Sequence, residues 1–164
     1  MLMAVLKWAG LGLGAAGILV LLAGQLGLFR GSVPSDLGAK NGRLKPPSAT
    51  ENSVSSQAGL YPDHPMRAHA EIAPFNYSGD GAAALAKLRA EISSMDRAKI
   101  VRPEALYLHV EFTSKWFKFV DDAEFLVDEN ASVIHVRSAA RVGRNDFDVN
   151  RRRVEAIRAR FGQR

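Results

Sequence analysis

An uncharged run over residues 8–29, bounded by Lys7 and Arg30, limits the possible folds of this chain more than any other segment. About 20 consecutive apolar residues match the thickness of a bilayer core. The run is longer than the apolar region of an ordinary signal peptide, and the best cleavage candidate, Ala23-Gly24-Gln25, lies inside it. We therefore predict an N-terminal transmembrane anchor over residues 1–30 that inserts into membrane lipid. A cleaved export signal is the alternative interpretation.

Two rules disagree about the side of the membrane on which the rest of the chain lies. Lys7 precedes the run, whereas Arg30, Lys40, Arg43 and Lys45 follow it. This distribution of basic residues favours a cytoplasmic C-terminal side. However, one N-terminal apolar segment followed by a modest domain is typical of an exported protein. We expect a single-pass membrane protein of the cell envelope, with its C-terminal domain on the non-cytoplasmic side.

Composition divides the remaining residues into two parts. Residues 31–68 are rich in Gly, Pro, Ser and Asn, which predicts a linker or a loop draped over the domain. Residues 69–164 suffice for one compact domain with a small core. The chain has no cysteine, which excludes disulfides, thiol catalysis and zinc–cysteine sites. No metal site and no cofactor are predicted, since no phosphate loop, nucleophile elbow or metalloprotease motif occurs in the sequence.

The spacing of apolar residues in the domain predicts two helices. Asp80 is the expected N-cap of a helix over 81–94, and Asn145 or Asp146 is the expected cap of a last helix. The apolar stripe of each helix repeats at steps of three and four residues. The stripes are Leu85, Leu88, Ile92 and Met95 in the first helix, and Phe147, Asn150, Val154, Ile157 and Phe161 in the last.

Alternating apolar and polar residues predict antiparallel strands. Clear alternation occurs over residues 105–113, 119–127 and 132–138, and weaker patterns occur at 69–74 and 98–102. The predicted fold is therefore α+β: a small antiparallel sheet of about three to five strands, with both helices packed on its apolar face.

The residue pattern of the last two predicted strands, 119–127 and 132–138, also predicts the register in which they pair. A tight hairpin centred on Glu129-Asn130 places apolar residues opposite apolar ones and charges opposite counter-charges. A slip by one residue would move every side chain to the opposite face. The resulting pairs are Phe125 with Ile134, Ala123 with Val136, Asp122 with Arg137, and Glu124 with His135.

The polar face of this sheet is the first candidate site. If the strand at 105–113 pairs with that at 119–127, six ionisable side chains converge there. They are His109, Glu111, Asp122, Glu124, His135 and Arg137. The face is either a solvent-exposed surface, a ligand or anion site organised by Arg137, or a metal or acid–base site that uses the histidines. The spacing of these residues does not distinguish the three.

Asp121 is the second candidate, because alternation directs it toward the apolar face. A carboxylate there needs a partner. Arg141, Arg151 or the amide of Asn150 is the expected partner, in either a structural clasp between helix and sheet or a pocket with a perturbed acid. The ligand-binding candidates are Asp121, Asp122, Glu124, Arg137, Ser138, Arg141, Asn150 and Arg151, with His109, Glu111 and His135 as secondary candidates.

Four ordered segments carry a family resemblance. They are NSVSSQ at 52–57, FVDDAEF at 119–125, VRSAARVG at 136–143 and DFDVNRRRVE at 146–155. From about Gly38 to the C-terminus the chain resembles the family called domain of unknown function 1499. The resemblance implies no activity, but members of that family often follow a membrane span or export signal. The chain departs from the family pattern at Pro47 and Ser53, where cysteines are common, and at Asp148, where glycine is common.

These observations predict a membrane-anchored domain that binds a small ligand, an envelope component or a protein partner. Its predicted pocket is bounded by Asp121, Arg137, Arg141 and Asn150. The alternative is a hydrolase-type enzyme that uses the His and carboxylate face of the sheet. No catalytic residue is assigned.

Two surface features bear on the partners. Nucleic acid is not an expected partner, because Arg151–Arg153 spread over nearly a full helical turn rather than one face. Trp116 and Phe117 are flanked by Lys115 and Lys118 in a predicted loop. This arrangement favours either contact with a membrane interface or packing of one of the two aromatic rings into the core.

Overall fold

The computed structural model describes residues 2–162, so residues 1, 163 and 164 of the predicted anchor and domain lie outside the described range. Within residues 2–162, four helices and six strands follow one another. They are α1 Leu2–Gln25, β1 Ser53–Ser55, α2 Arg67–Ala70, β2 Phe75–Asn76, α3 Gly81–Ser93, β3 Ala98–Pro103, β4 Tyr107–Thr113, β5 Val120–Asp128, β6 Val133–Ala140 and α4 Val149–Gly162. A short 3₁₀ turn over Ala58–Leu60 follows β1.

The strands form one antiparallel sheet in the order β1-β6-β5-β4-β3, and β2 also pairs with β6. The predicted α+β class is confirmed, but the sheet has six strands rather than three to five. The predicted strand at 69–74 is wrong, because Arg67–Ala70 is helical and β2 begins after Pro74. β1 and β2 are three and two residues long, which is too short for alternation to reveal them.

Both long helices of the domain pack on one face of the sheet, as predicted. Asp80 caps α3, since its carboxylate accepts a hydrogen bond of 2.7 Å from the backbone amide of Ala83. The two helices contribute six buried apolar side chains, which are Leu85, Leu88, Ile92, Val154, Ile157 and Phe161. They pack with apolar residues of the central strands in one core cluster.

The start of the last helix differs from the prediction. α4 begins at Val149, and Phe147 is 79% exposed instead of belonging to the apolar stripe. Phe147 and Asp148 have φ angles of 52° and 60°, which lie in the left-handed region and outside the helix. The Asp146 carboxylate accepts a hydrogen bond of 2.8 Å from the amide of Asn150 in the first turn.

The register of the β5–β6 hairpin is shifted by two residues from the predicted one. The observed pairs include Phe125 with Val136, Glu124 with Arg137, and Asp122 with Ala139. The loop has four residues, 129–132, because the last pair is Asp128 with Val133. The Asp128 carboxylate accepts hydrogen bonds from the next turn amides at 3.0 and 3.1 Å, which stabilises this longer loop. A shift by two residues keeps every side chain on its predicted face.

The second face of the sheet is covered by residues 36–48, which we call the covering segment. Leu44 is 1% exposed and packs against Tyr107 and Leu126. A turn at Asn41-Gly42, with φ angles of 52° and 72°, lets the segment fold back on itself. The interpretation of this polar face as a solvent-exposed surface is therefore wrong.

α1 is the predicted anchor. Its segment Val5–Gln25 has 21 residues, is largely exposed, and is long and apolar enough to cross a membrane. An N-terminal signal sequence meets the same criterion. The C-terminal end of α1 contacts the loop between β4 and β5 through a hydrogen bond of 2.8 Å from the Gln25 side chain to the Trp116 carbonyl.

Candidate functional site

The predicted site residues are divided between the two faces of the sheet. Asp121 and Asn150 lie on the face that the helices cover, whereas Arg137 and Arg141 lie on the face that the covering segment covers. The predicted pocket bounded by these four residues is therefore wrong. Successive residues of a strand point to opposite faces, so Asp121 and Asp122 belong to different networks.

On the helix side, Arg153 joins strand and helix. Its guanidinium donates hydrogen bonds of 2.5 Å to the Asp121 carboxylate and 2.6 Å to the side-chain oxygen of Asn150. That oxygen also accepts a bond of 2.5 Å from the Ser138 hydroxyl. The Asn150 amide donates in turn to Asp146 at 2.7 Å. This geometry is a structural clasp that ties α4 to β5 and β6.

The partners predicted for Asp121 were wrong in two of three cases and indirect in the third. Arg151 donates to the backbone carbonyls of His69 and Glu71, which ties α4 to the residues of α2. Arg141 lies on the opposite face, and Asn150 reaches Asp121 only through Arg153. Sequence reasoning missed Arg153, although it lies three residues after Asn150 and hence on the same side of the helix.

On the covered face, Arg141 and Asp122 form a bidentate ion pair. The guanidinium donates to both carboxylate oxygens at 2.7 Å and to Glu111 at 2.6 Å. The His109 ring lies 2.7 Å from Asp122. Burial acts to raise the pKa of Asp122, but its hydrogen bonds with Arg141 and His109 outweigh burial and lower it. The bond with Asp122 raises the pKa of Arg141, so both groups stay charged at neutral pH.

A second pair lies beside the first. Glu124 is fully buried and accepts hydrogen bonds from the Tyr107 hydroxyl at 2.8 Å and the Gly38 amide at 2.7 Å. Its other oxygen has no hydrogen-bond partner among residues 2–162 and lies 4.0 Å from the Arg137 guanidinium. Arg137 donates to the carbonyl of Pro46 at 3.0 Å. The covering segment therefore supplies backbone partners to both members of a buried ion pair.

Burial and the Glu124 charge shift the pKa values of Arg137 and Tyr107. Burial lowers the pKa of Arg137, and the nearby Glu124 carboxylate opposes that effect. Burial raises the pKa of Tyr107, and Glu124 adds to the increase, so the hydroxyl keeps its proton and remains a donor. Glu124 and Arg137 are cross-strand neighbours, which places their side chains together on one face.

The covering segment encloses a cleft of about 280 Å³, which we call the loop cleft. Lys40, Arg43 and Lys45 line it together with Asp36 and Tyr61. Lys45 pairs with Asp36 at 2.6 Å, which lowers the pKa of Asp36. Lys40 and Arg43 have no ion-pair partner in the described part of the chain. Three basic side chains against one carboxylate leave the loop cleft with two net positive charges.

His135 is separate from the other predicted site residues. It pairs across the ladder with Leu126 rather than Glu124, and its ring contacts Ser56 and Asp128. Its Nδ1 lies 3.2 Å from the Ser56 hydroxyl, and its Nε2 lies 3.6 Å from the Asp128 carboxylate. These residues line a second cleft of about 410 Å³, which we call the histidine cleft and which shares Arg43 with the loop cleft.

Neither cleft has the composition of a metal site. Over residues 2–162, no group of three or more His, Asp and Glu side chains is arranged to hold a metal ion. A further cleft, of about 500 Å³, lies between the first turn of α3 and the end of α4 and contains none of the predicted site residues. The candidate site therefore comprises the loop cleft, the histidine cleft and the charges buried below the covering segment.

The chain folds as an antiparallel sheet with helices on one face and buried charges on the other, and an apolar helix precedes it in the sequence. The class of this protein is therefore an α+β domain with an N-terminal hydrophobic segment. The chain belongs to the family described as Protein of unknown function (DUF1499), whose family model matches residues 43–161. This match confirms the resemblance seen in the sequence motifs. No curated protein and no solved structure matches the chain.

Proposed function

We propose that this protein is a membrane-anchored binding domain of the cell envelope that holds an anionic group in the loop cleft. The group is a phosphate or carboxylate, carried by a small ligand or by an envelope component. The observation that carries the proposal is the pair of basic side chains, Lys40 and Arg43, that line this cleft with no ion-pair partner in residues 2–162. Arginine and lysine are the side chains that bind such anions through charge-assisted hydrogen bonds.

The turn that carries these two side chains is fixed by several hydrogen bonds. The backbones of Lys40 and Arg43 bond to each other in both directions, at 2.9 and 3.1 Å. The Gln57 side chain accepts from the Leu44 amide at 2.8 Å and donates to the Gly42 carbonyl at 3.0 Å. A site on a fixed turn loses less conformational entropy when it binds a ligand. This rigidity supports a binding role for the loop cleft.

The test measures binding of inorganic phosphate and of glycerol phosphate to the full chain in detergent, by titration calorimetry. Arg43→Gln should weaken binding about tenfold or more, because it removes one charge-assisted bond of about 1.5–3 kcal/mol. The matched control is Arg152→Gln, which removes an exposed arginine on α4 and should leave binding unchanged. Equal binding by both variants, or no binding of either probe at millimolar concentration, contradicts the proposal.

A second arm separates the two sources of the anionic group. The full chain is reconstituted in nanodiscs of phosphatidylcholine alone or with phosphatidylglycerol, and the same titration with glycerol phosphate is repeated. If the ligand is a lipid headgroup of the same membrane, phosphatidylglycerol competes with the soluble probe. If it is a free molecule, the apparent affinity is the same in both nanodiscs.

The location of the domain is tested independently of binding. Reporters that are active only inside or only outside the cytoplasm are joined after Arg164. An active outside reporter supports a domain on the non-cytoplasmic side. An active inside reporter contradicts the envelope location and restores the distribution of basic residues around the span as the better guide.

A hydrolase is the second candidate function, and the histidine cleft is the observation that favours it. A hydroxyl, an imidazole and a carboxylate lie in sequence there, at Ser56, His135 and Asp128. Serine hydrolases use the same order of groups to activate a serine nucleophile, but there the hydroxyl contacts Nε2 of the imidazole, whereas Ser56 contacts Nδ1 of His135. Against this role, the Ser56 oxygen also accepts a hydrogen bond of 2.9 Å from the Val136 amide.

The hydrolase candidate is tested with a fluorophosphonate probe that labels activated serines. Labelling of the full chain that is lost in Ser56→Ala and His135→Gln, and kept in the control Ser93→Ala, supports a hydrolase. Ser93 is exposed on α3, and its hydroxyl bonds only a backbone carbonyl of the same helix, that of Arg89, so its loss leaves the histidine cleft intact. Absence of Ser56-dependent labelling contradicts the candidate and leaves the binding domain.

A further inference from the structure

The loop over Ser114–Phe119, which we call the aromatic loop, is attached to the end of α1. The Gln25 side chain donates a hydrogen bond of 2.8 Å to the Trp116 carbonyl. Gly24 packs so closely on Phe117 that an added Cβ would lie 2.8 Å from its carbonyl oxygen. The Phe29 ring stacks on Phe119 with centroids 5.5 Å apart. The end of the helix and the aromatic loop are therefore in direct contact.

This attachment leaves an apolar surface uncovered. Trp116 is 60% exposed, and Leu26 and Leu28, which directly follow α1, are 80% and 72% exposed. Phe117 is 37% exposed and lies 6.1 Å from the Phe119 ring. Single exposed apolar side chains are ordinary, but a group of aromatic and aliphatic side chains at one place marks an interaction surface.

The position of this surface along α1 indicates what covers it. The 21 residues of Val5–Gln25 rise about 30 Å as a helix, which equals the thickness of the hydrocarbon core. A loop bonded to Gln25 then lies at the level of the lipid headgroups. Tryptophan is enriched at that level, and lysine side chains reach from it to the phosphates.

The charges of the same surface complement a lipid membrane. Lys115 and Lys118 flank the two exposed rings, and Arg30 follows the helix. The Lys115 ammonium lies 4.9 Å from the centre of the Trp116 ring, so cation and aromatic ring are presented together. Basic residues beside a span gain about 1 kcal/mol each from anionic lipids. An apolar surface with a basic rim fits the interface of a bilayer better than the same surface with an acidic or neutral rim.

We propose that the aromatic loop inserts into the headgroup region of the membrane that α1 crosses, as a second contact between protein and lipid. This inference rests on the membrane anchoring in the proposed function. It fixes the orientation of the domain, since one end of β4 and β5 is held at the bilayer. The hairpin loop at the other end of β5, beside the histidine cleft, is then about 30 Å further along the strand.

Tryptophan fluorescence tests the proposal, because Trp8 and Trp116 are the two tryptophans of the chain. Trp8→Phe leaves Trp116 as the reporter of the loop, and Trp116→Phe leaves Trp8 as the reporter of the anchor. Each full-length variant is reconstituted in vesicles of phosphatidylcholine and phosphatidylglycerol whose acyl chains carry bromine near the headgroup. We expect brominated lipid to quench Trp116 and aqueous iodide to leave it largely unquenched.

A third variant calibrates a water-exposed reporter. Leu60→Trp, made with both natural tryptophans replaced by Phe, places the indole on the 46%-exposed site beside the histidine cleft. Iodide should quench this reporter and brominated lipid should not. A Trp116 that behaves like this water-exposed reporter overturns the proposal. If Trp8 is still quenched by lipid in that case, the anchor stands and only the loop insertion fails; if neither is quenched, the anchoring itself fails.

Two further variants test whether the aromatic loop inserts into the headgroup region or only lies close to the lipid without a specific contact. Gly24→Leu should displace the aromatic loop and lower the quenching of Trp116 by lipid, since the added side chain has no space against Phe117. Lys115→Glu with Lys118→Glu should lower it more in vesicles with phosphatidylglycerol than in phosphatidylcholine alone. Unchanged quenching in both variants contradicts the proposed contact. Quenching that falls as the protein density in the vesicle rises assigns the surface to a second copy of the chain instead.

Discussion

Arg141→Met provides the sharpest test of the buried charges. The substitution keeps an apolar stem of similar length and removes the guanidinium, which holds both oxygens of Asp122 at 2.7 Å and Glu111 at 2.6 Å. Asp122 is 2% exposed and keeps His109 as a partner, whereas the Glu111 side chain is 18% exposed and can regain water. The cost therefore comes mainly from one buried carboxylate that loses its counter-charge.

The expected magnitude follows from that geometry. Breaking a buried ion pair by removing one partner costs about 3–5 kcal/mol. Because His109 still bonds the carboxylate and Glu111 is partly solvated, we expect the lower end, about 3 kcal/mol of unfolding free energy. Arg144→Met is the control, since Arg144 is exposed and should change stability by less than about 0.5 kcal/mol.

The pH dependence of the same variant has a definite sign. The fold lowers the pKa of Asp122, so the ionised carboxylate stabilises the folded state above its unfolded pKa of about 3.9. That stabilisation is lost as the pH falls through the lower folded value. The difference in stability between the natural chain and Arg141→Met should therefore be full at pH 7 and become smaller below about pH 4.

Urea unfolding of the full chain in detergent, followed by circular dichroism, measures both effects. The double variant Arg141→Met with Asp122→Asn should lose less than the sum of the single losses, because the uncompensated charge is absent. A loss below about 1 kcal/mol for Arg141→Met at pH 7 refutes the stabilising role assigned to the Arg141–Asp122 ion pair. A difference that grows in acid refutes it as well.

Three other substitutions are predicted to change stability in the same assay. Asp80→Ala removes the cap of α3 and should cost about 1 kcal/mol. Phe125→Ala leaves a cavity beside Phe75, whose ring centroid lies 5.9 Å away, and should cost about 3–5 kcal/mol. Arg153→Met leaves the buried Asp121 carboxylate without its counter-charge and should cost about 3 kcal/mol, whereas Arg152→Met should cost less than about 0.5.

Local patterns predicted which elements form and which face each side chain takes. Steps of three and four residues identified α3 and α4, and alternation identified β4, β5 and β6. The predicted register of the β5–β6 hairpin was wrong because the length and conformation of the loop, and not the strand pattern, determine the register. A two-residue and a four-residue loop give the same faces, and the carboxylate of Asp128 together with a positive φ of 53° at Ser132 selects the longer one.

The cover of the polar face was harder to predict for a physical reason. Residues 31–68 contain few large apolar side chains, so no periodicity reveals that they fold. Their attachment depends on a few buried apolar side chains such as Leu44 and Val54, on the three-residue strand β1, and on backbone groups such as the Gly38 amide. Backbone donors are the same in every sequence, and the sequence therefore carries no signal for this kind of contact.

The covering segment and the charges below it stabilise each other. Without the segment, Glu124 would lose the Gly38 amide and Arg137 would lose the Pro46 carbonyl, and both charges would be exposed to water instead. Without the charges, a polar segment would have little apolar surface to hold it in place. An anion bound to Lys40 and Arg43 favours the ordered segment over a detached one, because the ligand binds only where the cleft exists. Ligand binding should therefore slow hydrogen exchange at the Gly38 amide more than at amides of α3.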